Sequence, residues 1–134
     1  MKTTPKILIP LVGFFVITGV CWWHFRDPDR VPQIAFESIG WQRADPIANH
    51  RTVRSQMIED LLRQHEFKGW TRQQVLELLG EPSRGEPSEL GFPQFDIVYV
   101  LGMECNGAWS LDDEALGFKF DSADRVASYG VSVN

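Results

Sequence analysis

GWTRQQVLELLGEP, Gly69 to Pro82, is the stretch on which the folded part of this chain is organised. It reads as one short helix with both ends marked. Thr71 is placed to cap the N-terminus, and Gln74, three residues on, completes a capping box. Each side chain then takes an orphan backbone N–H of the first turn. Trp70 before the cap and Val75 after it form a hydrophobic staple pair. Val75, Leu76, Leu78 and Leu79 give a broad apolar face. Gly80 suits a left-handed residue after the helix, and Pro82 blocks its continuation. A helix this short is not stable alone, so its apolar face must dock on something.

Upstream, from about His50 to His65, Val53, Met57, Ile58, Leu61 and Leu62 fall on one helical stripe. Arg54, Glu59, Asp60, Arg63 and Gln64 occupy the other side. Phe67-Lys68-Gly69 breaks the pattern, as in a helical hairpin or L-shaped pair. Downstream, SRGEPSELGFP reads as loop. Period-2 patterns follow. Phe95, Ile97, Tyr99 and Leu101 form the apolar face of a first strand. Leu116, Phe118 and Phe120 form that of a second, and Ala127, Tyr129, Val131 and Val133 that of a third. Asp121-Ser122-Ala123-Asp124 is turn chemistry between the last two. The fold class this predicts over residues 50–134 is α+β: two helices packed on a three-stranded antiparallel sheet.

The N-terminus has a different character. Ile7 to Phe25, ILIPLVGFFVITGVCWWHF, is nineteen residues without a formal charge, about the length needed to cross a bilayer as a helix. Trp22 and Trp23 sit where an interfacial aromatic belt would lie. Residues 1–25 are therefore read first as an uncleaved transmembrane anchor. A cleaved secretory signal is the second reading, although no small-x-small site precedes the charges cleanly. The third is a lipoprotein signal with Cys21 as the lipidated residue, although Val20 stands where a small residue is wanted. The positive-inside count is nearly balanced, with Lys2 and Lys6 against Arg26 and Arg30. A short basic start before an apolar run reads as a signal anchor, which places the domain outside the cytoplasm. Residues 26–49, with Pro28, Pro32 and Pro46, read as an extended tether. Ile34, Phe36, Ile39 and Trp41 make that tether apolar enough to lie in part along the domain.

Composition excludes some functions. With 18 acidic against 13 basic residues, and Lys2 and Lys6 the only charges before Arg26, the remainder is acidic. A nucleic-acid partner would need clustered positive charge. Asp112-Asp113-Glu114, Asp121 and Asp124 lack the ligand alternation and central Gly of a calcium loop and read as solvated charge. His24, His50 and His65 are scattered, and none pairs with Cys at zinc-ligand spacing, so no metal or other cofactor is expected. Cys105 has no base in any recognisable signature. No nucleophile elbow or phosphate loop occurs. The connection Gly102 to Ala115, carrying Met103, Trp109 and Leu111, is the candidate interaction surface, and Phe92 beside Pro93 joins it.

The helix GWTRQQVLELLGEP, the strand with Val98-Tyr99-Val100-Leu101, and the segments Leu116-Gly117-Phe118-Lys119-Phe120-Asp121 and Arg125-Val126 together resemble the SmpA/OmlA family. These are small envelope lipoproteins typified by the E subunit of the outer-membrane β-barrel assembly machinery. The resemblance covers roughly residues 50 to 133. The same ααβββ layout occurs in β-lactamase inhibitor proteins. Two residues depart from the family pattern: Val20 before Cys21, and Asp124 where Gly commonly precedes Arg-Val.

The function expected is that of a membrane-anchored, non-catalytic protein of the bacterial cell envelope. Its small domain faces the periplasm and serves as a protein-interaction or scaffold module, and the resemblance implies a place in envelope or outer-membrane assembly. The alternative is an inhibitor-like domain that blocks an enzyme with an exposed aromatic sheet face. An enzyme would need convergent polar groups that the sequence does not offer at recognisable spacing.

Overall fold

A computed structural model describes residues 32–44, 52–105 and 111–134. All of them belong to one compact unit, Val31–Asn134. Its elements are helices α1 (Ser38–Arg43), α2 (Val53–Gln64) and α3 (Arg72–Leu79), then strands β1 (Ile97–Cys105), β2 (Leu111–Phe120) and β3 (Val126–Val133). The sheet is an antiparallel meander in the order β1-β2-β3. The α+β class stands as expected, with three helices in place of two. Among the described residues no helix is long and apolar enough to cross a membrane. The apolar segment 7–25, with Cys21, lies outside the described residues.

Helix α3 forms as its sequence predicts. Thr71 Oγ1 accepts the Gln74 N–H at 3.2 Å, and Gln74 Oε1 accepts the Thr71 N–H at 2.9 Å. Val75 and Leu79 are buried, and Trp70 and Leu78 pack against the same core. The C-terminal end differs. Gly80 has φ +74 but ψ −164, which is not the left-handed helical conformation. The carbonyls of Glu77 and Leu78 are capped instead by α1: Ser38 Oγ donates to Leu78 O at 2.5 Å, and Gln42 Nε2 lies 3.3 Å and 3.1 Å from Glu77 O and Leu78 O.

Within the expected tether, residues 32–44 pack on the domain. Trp41 is fully buried, and α1 lies against both α2 and α3. Two backbone bonds from residues 34 and 36 zip the preceding segment along α2. Ile34 N–H donates to Gln56 O at 2.9 Å, and Phe36 N–H donates to the Asp60 carboxylate at 2.7 Å. This strap also corrects the reading of α2. Arg54 and Asp60, assigned to its polar side, are buried, whereas Val53 is exposed. A stripe read from period alone takes solvent to lie on the far side, and here the strap lies there.

Strands β1 and β2 run further than expected. Met103 pairs with Asp113, Glu104 with Asp112 and Cys105 with Leu111, so much of the predicted connection is ladder. Leu101 shares the core face with Tyr99, and a bulge follows between Val100 and Gly102. Tyr99, Leu101, Leu116 and Phe118 face the helices, where Phe67, Leu61, Met57, Val75, Leu79 and Trp41 complete the core.

Candidate interaction surface

The second face of the sheet is covered from an unexpected direction. The segment read as solvent loop docks on β1: Ser83 N–H donates to Val98 O at 2.9 Å, and Ser83 Oγ accepts the Val100 N–H at 2.9 Å. It then folds over the sheet. Phe92 is fully buried and clusters with Val98 and Ala115, with Leu90 and Phe95 packed against them. Phe92 is thus a core residue and not part of a binding surface. Phe95 leaves the row of Ile97 and Tyr99 for this opposite face. Its ring lies directly over Gly117, where a Cβ would stand only 2.0 Å from it. Without this cover, Val98 and Ala115 would present bare apolar strand to water.

The other candidates fall at the far end of the β1–β2 hairpin. Met103 and Leu111 lie two rungs apart on one ladder, opposite Asp113 and Cys105. Trp109 lies outside the described residues. The structure therefore gathers two of the four predicted surface positions on one hairpin and removes Phe92 from the group.

Buried titratable groups are tied to the fold. Arg54 is 5 % exposed, and its guanidinium lies 5.5 Å from the Trp41 ring centroid and 5.8 Å from that of Tyr99. Its Nε donates to Trp41 O at 3.1 Å. Burial lowers its pKa, opposed by the Tyr99 hydroxyl. Burial pushes the Tyr99 phenol well up, while its O–H donates to Gly80 O at 2.8 Å. The Asp60 carboxyl is held below its usual range, first by the Phe36 N–H and then by Arg63 and Gln64, against the desolvation that raises it. Tyr129 is raised by desolvation and by its bond to Glu66 at 3.0 Å. His65 sits among the rings of Phe36, Phe67 and Trp70. No group of His, Cys, Asp and Glu among the described residues is arranged to hold a metal ion.

One further strand surface was not singled out from sequence. On β3, Val131 and Val133 are 39 % and 46 % exposed. The signal was present in SYGVSV, Ser128 to Val133, a final strand with neither charge nor proline. These features define an α+β domain whose sheet carries the helices on one face and Phe92 and Phe95 over Val98, Ala115 and Gly117 on the other. No protein-family model, curated protein or solved structure matches the chain.

Proposed function

We propose that this chain is a membrane-anchored, non-catalytic cell-envelope protein of the SmpA/OmlA type. Residues 7–25 hold it at the membrane. The α+β domain faces the periplasm and binds a protein partner, in envelope or outer-membrane assembly, through the free end of the β1–β2 hairpin at Met103, Trp109 and Leu111. The observation that carries the reading is the match between motif residues and their structural roles. Thr71 and Gln74 close the capping box. Asp124 takes φ +59 at the position where the family commonly has Gly. Arg125 bridges to Thr71 and Val126 enters the core. The inhibitor alternative called for a bare aromatic sheet face. Both faces of β1 and β2 are occupied, so no observation favours it.

Fractionation of the native host tests the anchor. The chain is expected to stay with membranes through carbonate extraction, and added protease is expected to cut the domain in spheroplasts. A carbonate-soluble chain, or a domain protected inside the cell, overturns the proposal. Mass spectrometry of the extracted chain separates an intact Met1 start from an acylated Cys21. A photo-crosslinking residue at Met103 or Leu111 is expected to capture an outer-membrane assembly component. Capture of none at either position removes the assembly role.

A further inference from the structure

Arg54 is a charged side chain that the fold buries against α1, leaving it 5 % exposed. A guanidinium carries five N–H donors and no acceptor. Only Nε is matched, donating to Trp41 O at 3.1 Å. Among the described residues no acceptor meets Nη1 or Nη2, and no carboxylate pairs with the group. Asp60, the other buried charge of α2, is by contrast bonded through both of its oxygens.

The aromatic neighbours stand to one side of it. The guanidinium carbon is 5.5 Å from the Trp41 ring centroid and 5.8 Å from that of Tyr99, and the two centroids are 6.3 Å apart. These three points form a nearly equilateral triangle, so the rings back the guanidinium without enclosing it. Trp41 adds a second unmatched donor: it is fully buried, and its Nε1 has no hydrogen-bond partner among the described residues. Arg54 is also the second residue of α2. Helical side chains lean toward the N-terminus, so the guanidinium lies toward the positive end of the helix dipole. Donors and positive charge are what this corner leaves unmatched. A buried charge without a counter-charge is costly, and a negatively charged acceptor is the chemistry that relieves it.

We propose that Arg54, together with the Trp41 indole N–H, is an oxyanion-binding site that takes a carboxylate or phosphate group. Nε is committed to Trp41 O, so the ligand's two oxygens meet the fork of Nη1 and Nη2. That bidentate contact is the one a guanidinium makes with either oxyanion. The Trp41 carbonyl and the two rings hold the fork in place, so little side-chain freedom is lost when the anion binds. The chain carries net −5, and its overall field repels anions. Binding therefore rests on these local donors and is lost with Arg54 alone.

Thermal unfolding of the full chain in mild detergent tests this, in sodium acetate, phosphate or chloride at matched ionic strength. The wild-type midpoint is expected to rise with acetate or phosphate over chloride and to saturate with concentration. A rise with acetate alone identifies a carboxylate ligand, a rise with phosphate alone a phosphate, and a rise with both a fork that accepts either. Phosphate also stabilises proteins by exclusion from their surface, so the reading is the difference from R54M, which keeps the stem and is expected to lose the saturable rise. R54K keeps the charge without the fork and is expected to bind about tenfold more weakly. The wild-type Trp41 indole N–H resonance is expected to shift over the same concentration range, a readout that does not need R54M to fold. An indole signal that no anion moves overturns the proposal. So does an anion effect that a folded R54M retains in full. Neither result depends on the envelope role.

Discussion

Gly117 and Gly130 face each other across the β2–β3 ladder, yet their surroundings are opposite. A methyl at Gly117 would collide with the Phe95 ring, which has the packed second core behind it. A methyl at Gly130 meets open space. Gly117→Ala is expected to destabilise by about 1–3 kcal/mol, with Phe95 displaced. Gly130→Ala is expected to be neutral or stabilising by up to about 1 kcal/mol. Urea midpoints of the two variants check the contrast. Arg54 has two opposed contributions. Burying a guanidinium is costly, and its stacking on Trp41 and Tyr99 offsets that cost. Arg54→Met keeps the stem and removes the charge, so it is expected to stay within about 1 kcal/mol of wild type. Arg54→Ala also loses the packing and is expected to cost about 2 kcal/mol or more. At Asp60 the native pKa is depressed. Its contribution is present above the ordinary carboxylate value, about 4, and is lost as pH falls through the lower native value. The thermal midpoint of wild type is therefore expected to drop more steeply below about pH 4 than that of Asp60→Asn. Neither Arg54 nor Asp60 was legible as buried, because a polar residue on a helix reads as solvent-facing until something is known to cover it.

At the scale of elements, α1 decides the most and was the least legible. Six residues cannot sustain a helix; this one exists because Trp41 has a cavity to fill and because Ser38 and Gln42 reach carbonyls of α3. Trp41→Ala is expected to cost about 3–5 kcal/mol. It should also release the strap, read as faster hydrogen exchange at the Ile34 and Phe36 amides. Among the described residues, Trp41 Nε1 is buried without a hydrogen-bond partner. Trp41→Phe therefore forfeits no side-chain bond and is expected to cost less than half as much. By contrast, α3 was legible almost residue by residue, since a capping box and an apolar face are local chemistry. The strands were legible as alternation, but their ends were not. Polar residues such as Glu104 and Asp112 lie on rungs of a ladder that only pairing reveals.

At the scale of the whole molecule, the domain boundary carries the clearest prediction. A fragment of residues 31–134 contains the strap and α1. A fragment of residues 50–134 leaves the Trp41 site empty and Arg54 and Asp60 without their covers. The longer fragment is expected to melt cooperatively and the shorter one at a markedly lower temperature, as circular dichroism would read. The sequence by itself determined the α+β class, the capped helix Arg72–Leu79, the meander of three strands and the uncharged run from Ile7 to Phe25. All of these follow from neighbours in the chain: caps, periods and turn residues act over a few positions. Only tertiary structure decided that residues 33–44 pack on the helices, that Phe92 and Phe95 cover the second sheet face, and that Ser83 bonds the outer side of β1 at Val98 and Val100. Those outcomes depend on which distant segment fills a bare apolar face or reaches an outward strand group, and no local pattern encodes that choice.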